Sequence, residues 1–413
     1  MSTQAARSIR FTHNSPQQAF RLVELTPDLL ELISSPNAPT LHLKSPATDD
    51  PTGSENNTAY VNLCTPTKTF RIRQVQSSNS IHIIKPSDGQ NKVITLSKRQ
   101  KHDGEDENDT EIAPETVTAI AKCGSTLELQ GLSNEESFAL AKSMLARILR
   151  VWDEGMTFDN DDEDVDMDGG EATELLPMNR NMLVKKAVIG DLPFADTQCQ
   201  KAWIELCAFV PGNYKSPSGE RPAFQPSATV KLGIWKRILE GCILQNIDVE
   251  KQFLVGDLWK AVLGDEDDDD HEREKTMSRS LFDAVVKRLA ERSGENGIDG
   301  AAELKWSNLD KDVCIKWIGE TYLEATAPTE KRAIGQSEFL NAWKDLLPET
   351  WRTEALLSNL PEASYKRPDP VSIYFVPESE RENAKKEAQG AAGSGIKVKN
   401  SRNWHERFKG QRK

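Results

Sequence analysis

No stretch of this 413-residue chain approaches the roughly 18 consecutive apolar residues that a membrane-spanning helix needs. Its opening residues, MSTQAARSIRF, lack the apolar centre of a secretory signal. A soluble intracellular protein is expected, although no clear nuclear import signal stands out. GxxxxGK[ST] does not occur, which argues against an ATPase. Histidines are few: His13, His42, His82, His102, His271 and His405 stand far apart, none in an HExxH pattern or at ligand spacing from a cysteine. The six cysteines, Cys64, Cys123, Cys199, Cys207, Cys242 and Cys314, show no short paired spacing, so neither a zinc site nor a disulfide framework is indicated. Free thiols in a reducing compartment are the reading. No cofactor is implied, and no pairing of base and nucleophile points to an enzyme.

What is present is charge, unevenly placed. The net charge of -13 is matched by two acidic runs, Asp159 to Asp168 and Asp265 to Glu272. The remainder is close to neutral, so the overall acidity says little about what individual modules bind. The run at Asp265 to Asp270 lacks the glycine and the spaced ligands of a calcium loop, and reads as a solvated, self-repelling segment. At 37% hydrophobic and 28% charged, the chain is too long for one ordinary domain and too polar to be packed throughout.

The first hundred residues read as strands. Phe20, Leu22 and Val23 form a short apolar strand. Thr26-Pro27-Asp28 then supplies an N-cap, a first-turn proline and an acid for the helix LLELI. Residues 60 to 84 alternate with period two: Val61 and Leu63, then Phe70, Ile72 and Val75, then Ile81 and Ile83, separated by the turn-like CTPTK and QSSNS. The expectation is a β-meander with one apolar face, too small to cover itself, whose edges a partner chain completes. A helix follows near 133 to 152, with Phe138, Leu145 and Trp152 at helical spacing.

Beyond the first acidic run a theme recurs without strict period: helix, turn, helix, hairpin. It passes through Trp203 and Phe209, through Trp259, Phe282 and a short LKWSNL strand, and through Trp343, Trp351 and the hairpin ASYKRPDPVSIYFV. That is the winged-helix recipe. Tryptophans on these apolar faces are expected in cores. Cations at the turns and tail, Lys215, Arg221, Lys366, Arg367, Lys397, Lys399, Arg402 and Arg407, are the candidates for salt-dependent contact with DNA phosphates. Trp404 and Phe408 lie among the tail cations, where they could stack on bases or anchor a protein.

These residues resemble the sister-chromatid cohesion protein DCC family, a subunit of the alternative replication factor C clamp loader of chromosome transmission fidelity. The motif that carries the likeness is Leu63-Cys64-Thr65, then Lys68-Thr69-Phe70, Ile72-Arg73 and Val75, closed by Ser77-Ser78-Asn79-Ser80. LTPDLLELI and FLNAWKDLLPE with the IYFV strand add to it. The resemblance implies a head that shares a β-barrel with the large and small subunits of the clamp loader and docks DNA polymerase epsilon. It also implies a winged-helix body that touches DNA non-specifically near the sliding clamp, and a nuclear location. Val61, Leu63, Thr69, Phe70, Ile72, Arg73, Val75, Ser78, Asn79 and Ser80 become the candidate partner-binding residues. Family members carry a further helical module before a terminal KVYNSR-like segment, where this chain has a Glu/Lys/Ala/Gly stretch leading to Lys397 through Arg402.

The expected fold is therefore α+β: a β-rich head at 1–112, a connecting helix and acidic loop at 113–177, winged-helix modules at 178–250, 251–330 and 331–378, and a basic tail at 379–413. A competing reading is a winged-helix transcription regulator with a β-rich oligomerisation head. It would need recognition helices rich in Arg, Asn or Gln. The segments Gln198–Phe209, Ser280–Ala290 and Thr350–Leu360 instead mix Lys, Glu and apolar residues.

Overall fold

The computed structural model describes residues 10–13, 16–46, 60–86, 116–156, 177–211, 222–263, 278–291, 305–361, 363–381 and 384. These fall into two compact units, the first drawn from Met1–Ser137 with Pro193–Asp196, the second from Phe138–Leu192 and Thr197–Lys413. The fold is mixed α+β, and the first unit is built on a curled, half-barrel sheet.

In the first unit, β1 (Arg10–His13), β6 (Thr116–Gly131), β5 (Thr69–Pro86), β4 (Asn62–Cys64) and β3 (His42–Lys44) lie in that order, with the short β2 (Leu22–Val23) also on β6. β5 and β6 form the long antiparallel centre, while β1 and β2 join β6 in parallel. The expected turn at QSSNS is not a turn. β5 runs through it, and the register jumps from Gln76 opposite Ser125 to Ile81 opposite Cys123. Gly124 alone thus faces residues 77–80, and the surplus bulges and bends the strand, which turn-like Ser and Asn residues tolerate well. The apolar face also needs correction. Phe70 and Ile72 share a face with Leu63, but no bulge separates 72 from 75, so Val75 points to the opposite side. α1 (Pro27–Ser34) forms where the Thr-Pro-Asp signal stands, burying Leu29 and leaving Leu30 exposed. Its Asp28 meets Lys68 at 2.8 Å.

The second unit is helical with small sheets. α2 (Asn134–Ile148) starts on Ser133, whose hydroxyl accepts from the Glu136 amide at 3.0 Å. It stops four residues short of the expected end, because Arg150–Trp152 becomes β7, parallel to β8 (Phe224–Pro226). Trp152 there packs edge-on against Phe224, ring centres 5.1 Å apart. α3 (Pro177–Asp191) and α4 (Asp196–Glu205) precede β8 in sequence.

From residue 228 a similar order of elements, helix, strand, helical segments and closing strand or strands, recurs. α5 (Ala228–Leu244), β9 (Phe253–Leu254), α6 (Val255–Leu263), α7 (Arg279–Leu289) and β10 (Trp306–Ser307) come first, with β9 and β10 antiparallel. α8 (Lys311–Thr326), β11 (Ile334–Gly335), α9 (Gln336–Asp345), two 3-10 turns (Glu349–Glu354 and Leu357–Asn359), β12 (Tyr365–Lys366) and β13 (Ser372–Phe375) follow. β13 lies between β11 and β12. Buried tryptophans tie these elements together. Trp235 on α5 donates its indole N–H to the Leu346 carbonyl at 2.7 Å, and Trp343 on α9 donates to the Ile315 carbonyl at 3.1 Å. α8 admits Trp343 only because position 319 is glycine, where a Cβ would lie 2.5 Å from the indole ring. After β13, Arg381 closes the unit. It pairs with Glu320 at 2.6 Å, donates to the Val376 carbonyl at 2.7 Å and lies over the Phe375 ring.

Candidate partner-binding and nucleic-acid interfaces

The Leu63-to-Phe70 motif first serves its own sheet. Between β4 and β5 the Thr65 hydroxyl accepts from the Lys68 amide at 2.8 Å and the Thr67 amide at 3.3 Å, and the Thr65 amide donates to the Lys68 carbonyl at 2.9 Å. A threonine at this position replaces turn backbone with a side chain, which fixes the hairpin and with it the pairing of Leu63 opposite Phe70.

One face of the sheet then grips Pro193–Asp196. The Asn62 amide donates to the Pro193 carbonyl at 2.7 Å, the Thr69 hydroxyl accepts from the Ala195 amide at 2.8 Å, and the Lys44 ammonium lies 3.2 Å from Asp196. Asn62 and Phe194 are fully buried and Thr69 nearly so. Cys64 sits beside this contact, and burial pushes its thiol up to about 11, with Lys44 opposing that shift. Thr69 is thus spent inside the chain, and Phe70 is buried as well.

The other candidate partner residues are more open. Val61, Arg73, Ser78, Asn79 and Ser80 are exposed; Leu63, Ile72 and Val75 are half-buried. Residues 78–80 form the bulge itself. Apolar side chains outside the candidate partner-binding set stand out more: Leu43 on the edge strand β3 is 70% exposed, and Phe11, Leu30, Ile81 and Ile84 are each about half exposed. Scattered exposed leucines need no explanation, but Leu43, Phe11, Ile81 and Ile84 all lie on one small sheet, with Leu30 on α1. The alternation around 81 to 84 was visible in the sequence. Leu43 was not, since a three-residue strand leaves no period to read.

Of the candidate DNA-contacting cations, Lys366 and Arg367 are described, both exposed at the β12–β13 hairpin. Arg367 lies 5.9 Å over the Tyr365 ring. Asp369 closes the hairpin by accepting from the Val371 and Ser372 amides at 2.8 and 2.7 Å, bonds that hold its carboxyl below the ordinary value, that to Val371 foremost. A cleft of about 450 Å³ adjoins, lined by Leu357, Leu360, Pro361, Tyr365 and Arg367. Lys215, Arg221, Lys397, Lys399, Arg402 and Arg407 lie outside the described residues, as do Trp404 and Phe408.

The three segments read as helices for groove contact differ from one another. Gln198–Phe209 starts in α4 but turns at Glu205, and Gln198, Cys199, Ala202 and Trp203 are buried. Ser280–Ala290 is α7. Thr350–Leu360 is not an α-helix but two 3-10 turns, because Trp351, Ala355 and Leu360 are all drawn inward at a spacing that a regular helix would not satisfy. Of the tryptophans expected in cores, Trp306 on β10 is the exception, half exposed.

With this geometry in view, comparison with known families is decisive. The family model described as sister chromatid cohesion protein Dcc1 matches residues 20–380. The chain belongs to the Dcc1 family. As a Dcc1-family protein it has a role in sister chromatid cohesion. The match spans β2 through β13, so it takes in the gripped segment, both repeats and the hairpin cations, and ends at residue 380, before the tail cations Lys397 to Arg407. No individual curated protein matches the chain significantly.

Proposed function

We propose that this Dcc1-family protein acts without catalysis, as an accessory subunit of an alternative replication factor C clamp loader in the nucleus. It would bridge the large and small loader subunits, DNA polymerase epsilon and non-specifically bound DNA while the sliding clamp is loaded or unloaded. The observation that carries the reading is the open sheet of the first unit, whose exposed Leu43, Phe11, Ile81 and Ile84 call for a covering chain. On this reading partner strands complete the half-barrel. Val61, Leu63, Ile72, Arg73, Val75, Ser78, Asn79 and Ser80 then meet the partners, while Thr69 and Phe70 hold the strands from within.

The second unit takes the DNA role. A similar order of helix, strand, helical segments and closing strand or strands over 228–307 and 311–375 supports reading these stretches as winged-helix modules, with Lys366 and Arg367 on the second wing. Hairpin cations of this kind touch phosphates and give affinity that falls with salt and ignores sequence.

Co-expression of the full chain with the large subunit's C-terminal segment and the small subunit tests the first part. A stoichiometric ternary complex is expected, and Leu43→Asp with Ile81→Asp should weaken it at least ~10-fold, about 1.4 kcal/mol. A chain that stays solitary, and that prefers a selected duplex over random DNA, would instead favour the transcription-regulator reading.

A further inference from the structure

At one end of the sheet three rings gather that no role above uses. Phe11 and His13 on β1 lie 5.0 Å apart, His13 and His82 lie 5.6 Å apart at 75°, and Phe11 and His82 lie 6.1 Å apart. β1 and β5 are not neighbours; β6 runs between them. On β6 Ala119 is in register with His13 and Lys122 with His82. The two histidines stand 69 positions apart in sequence, so no ligand spacing announces them.

We propose that His13 and His82 form a two-imidazole site for a divalent transition cation of the zinc and nickel class, its remaining positions filled by water. A zinc–nitrogen bond of about 2.0–2.1 Å places the ion roughly 3.2 Å from each ring centre, so two imidazoles on one ion hold their centres roughly 4.5–5.6 Å apart. The separation of 5.6 Å lies at the wide end of that range. Both histidines are exposed, which leaves room for water ligands. The Gln17 side-chain amide nitrogen lies 3.4 Å from Nδ1 of His13, a long contact that metal binding at either ring nitrogen can displace. Borderline metals prefer imidazole, whereas magnesium and calcium demand oxygen ligands, which sets the class. Lys122, in register with His82, is the nearby like charge, solvated on an exposed side chain. The site rests on the head alone and is independent of the clamp-loader reading.

Calorimetric titration of the untagged full chain with zinc chloride tests the site. One equivalent should bind, ~10-fold or more weaker in His13→Ala and in His82→Gln, and unchanged in His42→Ala. Nickel should also selectively broaden the Phe11 ring resonances. Circular dichroism checks that each variant folds. Absence of zinc binding, or binding that survives both substitutions, overturns the proposal.

Discussion

The two units solve the problem of stability in opposite ways. The second buries Trp152, Trp235, Trp343 and Trp351 with Phe224, Phe282 and Phe339, and gives the first three of these tryptophans either an aromatic neighbour or an indole hydrogen bond in the interior. Among the largest fully buried side chains the first unit has Leu29 and Phe194, and the latter comes from the gripped segment. It relies on polar hold, Asn62, Thr69 and Lys44, where the other relies on aromatic volume.

The contrast can be broken most forcefully in the aromatic core. Trp343→Ala removes a fully buried ring and its bond to Ile315, and should cost about 3–5 kcal/mol, read from the denaturant midpoint of tryptophan fluorescence. Gly319→Ala forces a methyl toward that ring and should cost about 1–3 kcal/mol by the same measurement. In the head, Asn62→Leu leaves the Pro193 carbonyl without its donor and should cost about 1–3 kcal/mol, read by the far-ultraviolet signal of the strands. Leu43→Asp, on the open edge, should change stability by no more than about 0.5 kcal/mol while weakening partner binding.

Alkali sharpens the comparison from another side. Burial pushes the thiols of Cys207 to about 11 and Cys242 to about 12, and Cys314 upward as well; in the first unit Cys64 goes to about 11. A raised thiol pKa means that the folded state holds the proton longer than the unfolded one. Its contribution is complete below the ordinary cysteine range near 8.5 and is lost as the pH climbs toward the folded value. Lys185 acts in reverse. Burial, with Lys287 assisting, lowers it to about 8, so that between there and its ordinary 10.5 it favours the fold more as pH rises. With three cysteines against one, the second unit should lose more stability between pH 9 and 11. Thermal unfolding followed by tryptophan fluorescence, which among the described residues reports the second unit alone, would show it.

Much of this was legible in the residues. Thr26-Pro27-Asp28 and Ser133 start the helices they announce, and SIYF closes the hairpin read from it. Apolar helices were easy because tryptophan and leucine recur every three or four residues. The sheet was harder. QSSNS looks like a turn, yet opposite strand backbone can hold it as a bulge; TVTAIAKCGSTLELQG, which forms β6, alternates alanine with threonine and lysine too weakly to declare a strand. The grip on Pro193–Asp196 joins residues more than a hundred positions apart, and no local pattern encodes such a meeting.

That grip also sets a timetable for synthesis. When residue 137 leaves the ribosome the head has all its strands but lacks Phe194, and the polar groups of Asn62 and Thr69 face nothing. The head is completed only when residue 196 has emerged. A nascent chain stalled before that point should be an easy target for proteases, and one stalled just beyond it should be markedly more resistant.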